Sequence, residues 1–329
     1  MSATTVSATT VSASTALATT AAAGRAPVTD PPSRTFDAAR SSHIAAASTT
    51  AMRLFIPLAS TTVLLCVYVL AVLTRTGQSF EDKALAAAGL VQNATVLLEL
   101  VSIPGLAVAA AFIAGIALLR RRRGRAVAAM LVIAVSNTLT QILKYVVFDR
   151  PMFQSPSGVN TFPSGHMTAY VSVCIALLLV LPAALRALAS IAGAVISSIV
   201  VVQLLAFGWH RLSDVVGAVA LVLAVSTFVR LPLGADRRIA RGSGGGRSDS
   251  GRSGSGRSAS ATLRRVSIRV LMAGFVAALA AAAASFVAAF VVDTGSAGLT
   301  LLGTECVAVA ATVGAFMVHE WLPDRATAM

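Results

Sequence analysis

The sequence predicts an all-α fold, a polytopic membrane helical bundle, on the strength of its composition and its long apolar runs. Hydrophobic residues make up 56% of the chain and charged residues only 12%, and the mean hydropathy is +0.82. Soluble domains are about one quarter charged, so most of this chain is expected to lie in lipid. Eight runs approach the roughly 20 apolar residues that a membrane-spanning helix needs: Leu54–Leu73, Leu98–Leu119, Ala126–Phe148, Met167–Leu185, Ala187–Gly208, Val215–Leu231, Val270–Val292 and Leu299–Val318.

Changes in composition divide these runs into segments. Residues 1–52 are rich in Ala, Ser and Thr without an apolar period, which predicts a disordered tail and no signal peptide. Residues 53–233 hold six runs and predict a six-span core. A linker rich in Gly, Ser and Arg follows at 234–265, and residues 266–329 predict two additional C-terminal spans, an appendix to the core.

One mildly amphipathic segment, Arg75–Leu97, separates the first two runs. It predicts a helix lying on the membrane surface.

The arginines are placed as topology signals. The net charge is +13, but the arginines cluster between apolar runs, so nucleic acid is not an expected partner. The positive-inside rule puts the run Arg120–Arg125, the loop at Arg186, the segment after Arg230 and both termini in the cytoplasm. We expect a multi-pass protein of the plasma membrane with lipids as partners. The sequence leaves the oligomeric state open.

Cysteine and metal chemistry have little support in the sequence. Cys66, Cys174 and Cys306 all lie inside apolar runs and are interpreted as small buried hydrophobic residues. Neither a disulfide framework nor a metal-ligand spacing is visible. The sequence therefore predicts no metal and no other cofactor.

Unusual polar residues gather in two of the loops on the predicted outer side. They come from four different helix ends at one membrane level, and they include two of the four histidines. These candidate site residues are Lys144, Arg150, Ser164, Gly165, His166, His210 and Asp214.

The chemistry of this set suits an anion. Lys144 and Arg150 supply positive charge, and the planar fork of arginine matches phosphate oxygens. Ser164 and Gly165 precede a helix, whose N-terminal N–H groups and dipole also favour an anion.

The two histidines suggest nucleophilic catalysis. His210 and Asp214 stand four residues apart, so the carboxylate can fix the tautomer of the ring and leave one nitrogen to attack. His166 is then the candidate general acid for the leaving oxygen.

These segments resemble the type-2 phosphatidic acid phosphatase family of membrane lipid phosphatases, which shares its core with vanadium haloperoxidases. The resemblance covers about residues 54–232. Its first motif is Lys144 followed by Arg150-Pro151, its second is Pro163-Ser164-Gly165-His166, and its third ends in His210-Arg211-Leu212-Ser213-Asp214.

The resemblance implies a metal-independent phosphatase acting on a lipid phosphate or an isoprenoid (pyro)phosphate at the outer membrane face. His210 would form a phosphohistidine, Asp214 would be its partner, and His166 would protonate the leaving group. The phosphate would be held by Lys144, Arg150, Ser164 and Gly165.

The sequence departs from the family pattern at two places. Five residues separate Lys144 from Arg150 where the family usually has six, and Leu204 stands where the third motif has an arginine. We expect Arg150 to replace that cation. Arg211 directly follows His210 and would point about 100° away from it on a helix.

Two alternatives stay open at this point. A phosphotransferase would use the same intermediate with an acceptor other than water, and a non-catalytic membrane scaffold would have lost turnover with the arginine.

Overall fold

Helices account for all the regular secondary structure in the described part of the chain, which in this computed structural model is residues 54–88, 102–151, 153, 160–233, 254–292 and 296–322. The predicted N-terminal tail and residues 234–253 of the predicted linker lie outside these residues. Nine helices are present there: α1 Leu54–Val72, α2 Arg75–Ala87, α3 Ile103–Leu119, α4 Arg123–Val147, α5 Gly165–Val180, α6 Ala183–Ala206, α7 Leu212–Leu233, α8 Gly254–Val291 and α9 Ser296–Trp321.

Among the described residues, six helices are long and apolar enough to cross a membrane: α1, α4, α6, α7, α8 and α9. The second and fourth predicted spans form the shorter helices α3, of 17 residues, and α5, of 16 residues. The regular structure of the described residues is therefore all helical, as predicted, and their six long apolar helices support a multi-pass membrane protein. The division into a six-span core and a two-span appendix stays a prediction.

Two of the long helices end in a π-helical turn. These are Tyr68–Val72 at the end of α1 and Leu143–Val147 at the end of α4. Such turns recur at functional sites because they change the direction of the side chains that follow. The second turn carries Lys144.

Close packing places α5, α6 and α7 at the centre of the bundle. Buried residues of all three helices form the largest apolar cluster, and Phe316 of α9 belongs to it. A Cβ atom at Gly193 of α6 would lie 2.8 Å from the Phe316 ring, and one at Gly217 of α7 would clash with the Phe162 ring. Only glycine leaves room for these two rings, so α9 packs directly on α6.

A polar cluster joins α9 to the C-terminal end of α7. The ring of His319 contacts the Ser226 hydroxyl through Nε2 at 2.8 Å and Nη1 of Arg230 through Nδ1 at 3.1 Å. Arg264 of α8 donates to the backbone oxygens of Glu320 and Trp321 at 2.8 and 3.0 Å. The last two helices are thus bound to each other and to α7.

Two predicted segments differ from the structure in detail. Part of the amphipathic segment forms α2, whose face carrying Gln78, Glu81 and Ala84 is buried against the protein. Its place at the membrane surface stays a prediction. The last part of the predicted linker is helical, since α8 begins at Gly254. Alanine and leucine from Ala259 to Leu263 are strong helix formers, which explains the extension.

Candidate functional site

His210 lies in the short non-helical connection between α6 and α7. The chain turns at Gly208, whose φ of +68° is in the left-handed region that favours glycine. The backbone N–H groups of Trp209 and His210 both donate to the Leu204 carbonyl, at 3.1 and 3.2 Å. The Leu204 side chain is fully buried in the apolar core.

His210 pairs with Asp214 at the start of α7. Nδ1 of the ring lies 3.3 Å from Oδ2 of the carboxylate, whose side chain is fully buried. The same Oδ2 accepts the backbone N–H of Arg211 at 2.9 Å. Asp214 is the third residue of α7, so this contact is the acidic half of a capping box. The helix start therefore fixes the carboxylate that holds the histidine.

Arg150 completes the surroundings of Asp214. Its Nη2 donates to Oδ1 of Asp214 at 2.8 Å and lies 3.4 Å from the Ser213 hydroxyl. Its Nε and Nη1 atoms are buried, and no described residue accepts a hydrogen bond from them. A buried donor without a hydrogen bond costs about 1–3 kcal/mol, and the Glu81 carboxylate, 3.8 Å from Nη1, is too far away to accept one. Both atoms therefore favour a hydrogen-bonding anion beside them.

The backbone around Arg150 is held from three directions. The Tyr68 hydroxyl donates to the Asp149 carbonyl at 2.9 Å and lies 3.1 Å from its N–H. The Gln78 amide donates to the Pro151 carbonyl at 2.7 Å. The Asn160 amide donates to the carbonyl of Phe148 at 2.6 Å. Arg150 is therefore positioned before any ligand arrives.

The loop before α5 is joined to the start of α7. The Ser164 N–H donates to the Asp214 carbonyl at 2.9 Å, and the Thr161 hydroxyl donates to Oδ2 of Asp214 at 2.7 Å. Ser164 is the N-cap of α5, and its side-chain oxygen accepts the Met167 N–H at 3.3 Å. Because this oxygen is the acceptor in that bond, the hydroxyl hydrogen of Ser164 can be donated to another group.

His166 lies one residue into α5 and faces the second histidine. The ring centroids of His166 and His210 are 6.0 Å apart at an interplanar angle of 65°, and the Trp209 ring is 5.8 Å from that of His166. Gly165 lies beside α4, where an added Cβ atom would be 3.6 Å from the Gln141 amide nitrogen.

Lys144 is half-buried in the π-helical turn at the end of α4. Its charge lies close enough to interact with Asp214 and with His166. The seven residues singled out in the sequence thus lie around the junction of α4, α5 and α7.

Sequence reasoning missed two contributors to this junction, Glu81 of α2 and Thr161. Oε1 of Glu81 accepts the Ser213 N–H at 2.6 Å, and Oε2 accepts the Ser213 hydroxyl at 3.0 Å. Oε2 also lies 3.8 Å from Nη1 of Arg150. The available signal was the spacing of Gln78 and Glu81, two polar residues three apart and therefore on one face of α2.

The environment of Glu81 alters its acidity. Burial and the nearby negative charge of Asp214 raise the pKa of Glu81 from 4.5 to about 7, and they outweigh the hydrogen bonds from Ser213 and the charge of Arg150. The carboxyl group therefore changes charge near neutral pH.

Arg211 points away from the histidines. Its Nη2 donates to Oδ1 of Asp82 on α2 at 3.0 Å, and its side chain is buried. The guanidinium of Arg150 binds Asp214, whereas that of Arg211 binds Asp82. Among the described residues, no group of three His, Cys, Asp or Glu side chains is placed to hold a metal ion.

Comparisons with protein families, with curated proteins and with solved structures found no match to this chain. The family resemblance therefore rests on the motif residues and their order.

Proposed function

We propose that the chain is a membrane phosphatase that hydrolyses a lipid phosphate or isoprenoid (pyro)phosphate monoester at the outer membrane face through a phosphohistidine. One observation carries the proposal: Nδ1 of His210 lies 3.3 Å from the buried carboxylate of Asp214. A carboxylate in this position holds the proton on Nδ1 and leaves the lone pair of Nε2 for attack.

The first step would transfer the phosphoryl group to His210. The Nε2 lone pair attacks phosphorus, the bond from phosphorus to the lipid oxygen breaks, and His166 donates a proton to that oxygen. Asp214 stabilises the positive charge that His210 gains. The two ring centroids lie 6.0 Å apart, and this short distance supports a shared role.

The second step would regenerate the enzyme. His166, now neutral, removes a proton from water as the water oxygen attacks phosphorus. The bond between phosphorus and Nε2 of His210 breaks, and inorganic phosphate leaves. Attack by an acceptor hydroxyl in place of water would give the phosphotransferase.

The cations of the site would stabilise the reacting phosphoryl group. Charge spreads over its equatorial oxygens during transfer, and fixed donors there supply much of the catalysis. Arg150 has two buried nitrogen atoms without a described acceptor, and Lys144 and the N-terminal N–H groups of α5 complete the set.

This function can be tested by measuring phosphate release by the purified full chain from a panel of lipid phosphates and isoprenoid phosphates. Release from at least one of them, in the presence of a chelator, supports a metal-independent phosphatase. A new phosphoester after addition of a polyol would identify a phosphotransferase. Phosphate binding without turnover would identify the scaffold, and activity that a chelator removes would contradict the mechanism.

A further inference from the structure

α2 places a second buried carboxylate, Glu81, against the residues that hold the proposed phosphate site. Its side chain is only 3% exposed, and it lies beside both the first turn of α7 and the guanidinium of Arg150. The proposed mechanism does not use it.

Glu81 supplies hydrogen-bond acceptors to the first turn of α7 through Ser213. The second residue of an α-helix has an N–H group with no partner in the helix, and here the Ser213 N–H donates to Glu81 at 2.6 Å. The Ser213 hydroxyl donates to the other carboxylate oxygen at 3.0 Å. This double contact fixes the turn that carries Asp214.

Glu81 would compete with a phosphoryl group for the guanidinium of Arg150. Asp214 accepts from Nη2 of that guanidinium at 2.8 Å, while Glu81 lies 3.8 Å from Nη1 without a hydrogen bond. A phosphoryl group binding to Arg150 would be a further anion beside the two carboxylates. Like charges in a buried site repel strongly, so one of them has to be neutral.

We propose that Glu81 is a positioning residue of this site, which holds the first turn of α7 through Ser213 and limits phosphoryl binding at Arg150 whenever its carboxyl group is ionised. The inference rests on the proposed phosphate site but not on turnover. Phosphate would then bind the form of the protein in which Glu81 carries a proton.

Other charged groups around Glu81 come from three places. Asp82 is its neighbour on α2, Arg150 precedes α5, and the connection into α7 together with the first turn of α7 supplies His210, Arg211 and Asp214. The residues of α9 that line the adjoining cavity with Glu81, Leu301 and Thr304, are uncharged. All of these groups are present in a Glu81→Gln variant, so their contribution to the pH dependence of phosphate affinity is the same in the variant and in wild type.

The expected size of the effect follows from the acidity of Glu81. With its pKa at about 7, the carboxyl group is ionised at pH 8 and mostly protonated at pH 6. If only the protonated form binds, the apparent dissociation constant at pH 8 is raised about tenfold, and at pH 6 hardly at all.

The test is calorimetric titration of the full chain in detergent with inorganic phosphate at pH 6 and pH 8. Glu81→Gln is expected to bind about tenfold more tightly than wild type at pH 8 and equally at pH 6. Asp82→Asn is the matched control, and its affinity should follow that of wild type at both pH values. Equal affinity of Glu81→Gln and wild type at pH 8, or weaker binding by the variant, would overturn the proposal.

A second variant covers failure of Glu81→Gln to fold. The Ser213 hydroxyl lowers the pKa of Glu81, so Ser213→Ala should move the midpoint of the affinity-against-pH curve above pH 7. An unmoved midpoint would overturn the proposal for Glu81 alone. Absence of any phosphate binding by wild type would contradict the proposed site as well.

Discussion

Two buried histidines lie near opposite ends of α7, and they use their ring nitrogens differently. His319 has both nitrogens engaged, Nε2 with the Ser226 hydroxyl at 2.8 Å and Nδ1 with Arg230 at 3.1 Å. Arginine only donates, so Nδ1 must accept and the ring is neutral with its proton on Nε2. His210 has a carboxylate on Nδ1 at 3.3 Å, and no described residue hydrogen-bonds its Nε2.

This difference separates a structural histidine from a candidate nucleophile. A ring with two partners joins helices, here α9 to α7, and has no lone pair left for chemistry. A ring held by a carboxylate on one side keeps its other nitrogen as a base or nucleophile. Burial alone does not distinguish them, because both side chains are largely inaccessible, at 9% for His210 and 4% for His319.

The largest effect is expected at His210. Replacing it with Ala should lower phosphate release by at least about a thousandfold, because among the described residues His210 is the imidazole whose Nδ1 is held by Asp214 and whose Nε2 is left for attack. Steady-state assays of the variant with the best lipid phosphate measure this. Thermal unfolding should resemble that of wild type, and substantial residual turnover would place the nucleophile elsewhere.

Two arginines in similar surroundings sharpen the comparison. Both are buried, at 6% exposure for Arg150 and 8% for Arg211, and each donates a hydrogen bond to one carboxylate, that of Asp214 for Arg150 and that of Asp82 for Arg211. Arg150 also lies 3.8 Å from the Glu81 carboxylate. Arg150→Ala should lower kcat/KM by about a hundredfold to a thousandfold, the loss typical of a donor to transition-state charge. Arg211→Ala should have a mild effect on kcat/KM, since its guanidinium binds Asp82. Near-normal turnover in Arg150→Ala with collapse in Arg211→Ala would reverse the assignment.

Replacement of His319 should lower stability and leave activity nearly unchanged, the opposite of what is expected for His210. His319→Ala removes two buried contacts and should lower the free energy of unfolding by about 1–3 kcal/mol. Phosphate release per folded molecule should stay near that of wild type. Thermal unfolding and turnover, measured on the same preparation, test the expected loss of stability and the expected retention of activity. Lost turnover with unchanged stability would give His319 a role in the chemistry.

The sequence predicted the helical, membrane-spanning character of the chain because apolar runs of this length have one physical solution in lipid. It also predicted that His210 and Asp214 meet, since four residues bring their side chains to one turn. Contacts between residues far apart in the chain could not be predicted from the sequence. The hydrogen bonds of Ser213 to Glu81 span 132 positions, and only the packing of α2 over the start of α7 creates them.

Some local details also depended on packing. The sequence predicted that the fifth apolar run ends at Gly208, whereas α6 ends at Ala206 and His210 lies on the non-helical turn that follows. Ser164 was expected to bind phosphate, and it is found as the cap of α5 with its N–H on the Asp214 carbonyl at 2.9 Å. Its role toward phosphate stays a prediction.

Direct detection of the phosphohistidine tests the central claim most sharply. The full chain is mixed with a ³²P-labelled lipid phosphate, quenched with alkali to preserve phosphohistidine, digested and mapped. We expect an acid-labile label on the peptide containing His210 in wild type, and none there in His210→Ala. His166→Ala should accumulate more label when the leaving group is good, because water then lacks its base. Phosphate release with no label on His210, or with equal label in His210→Ala, would contradict the account.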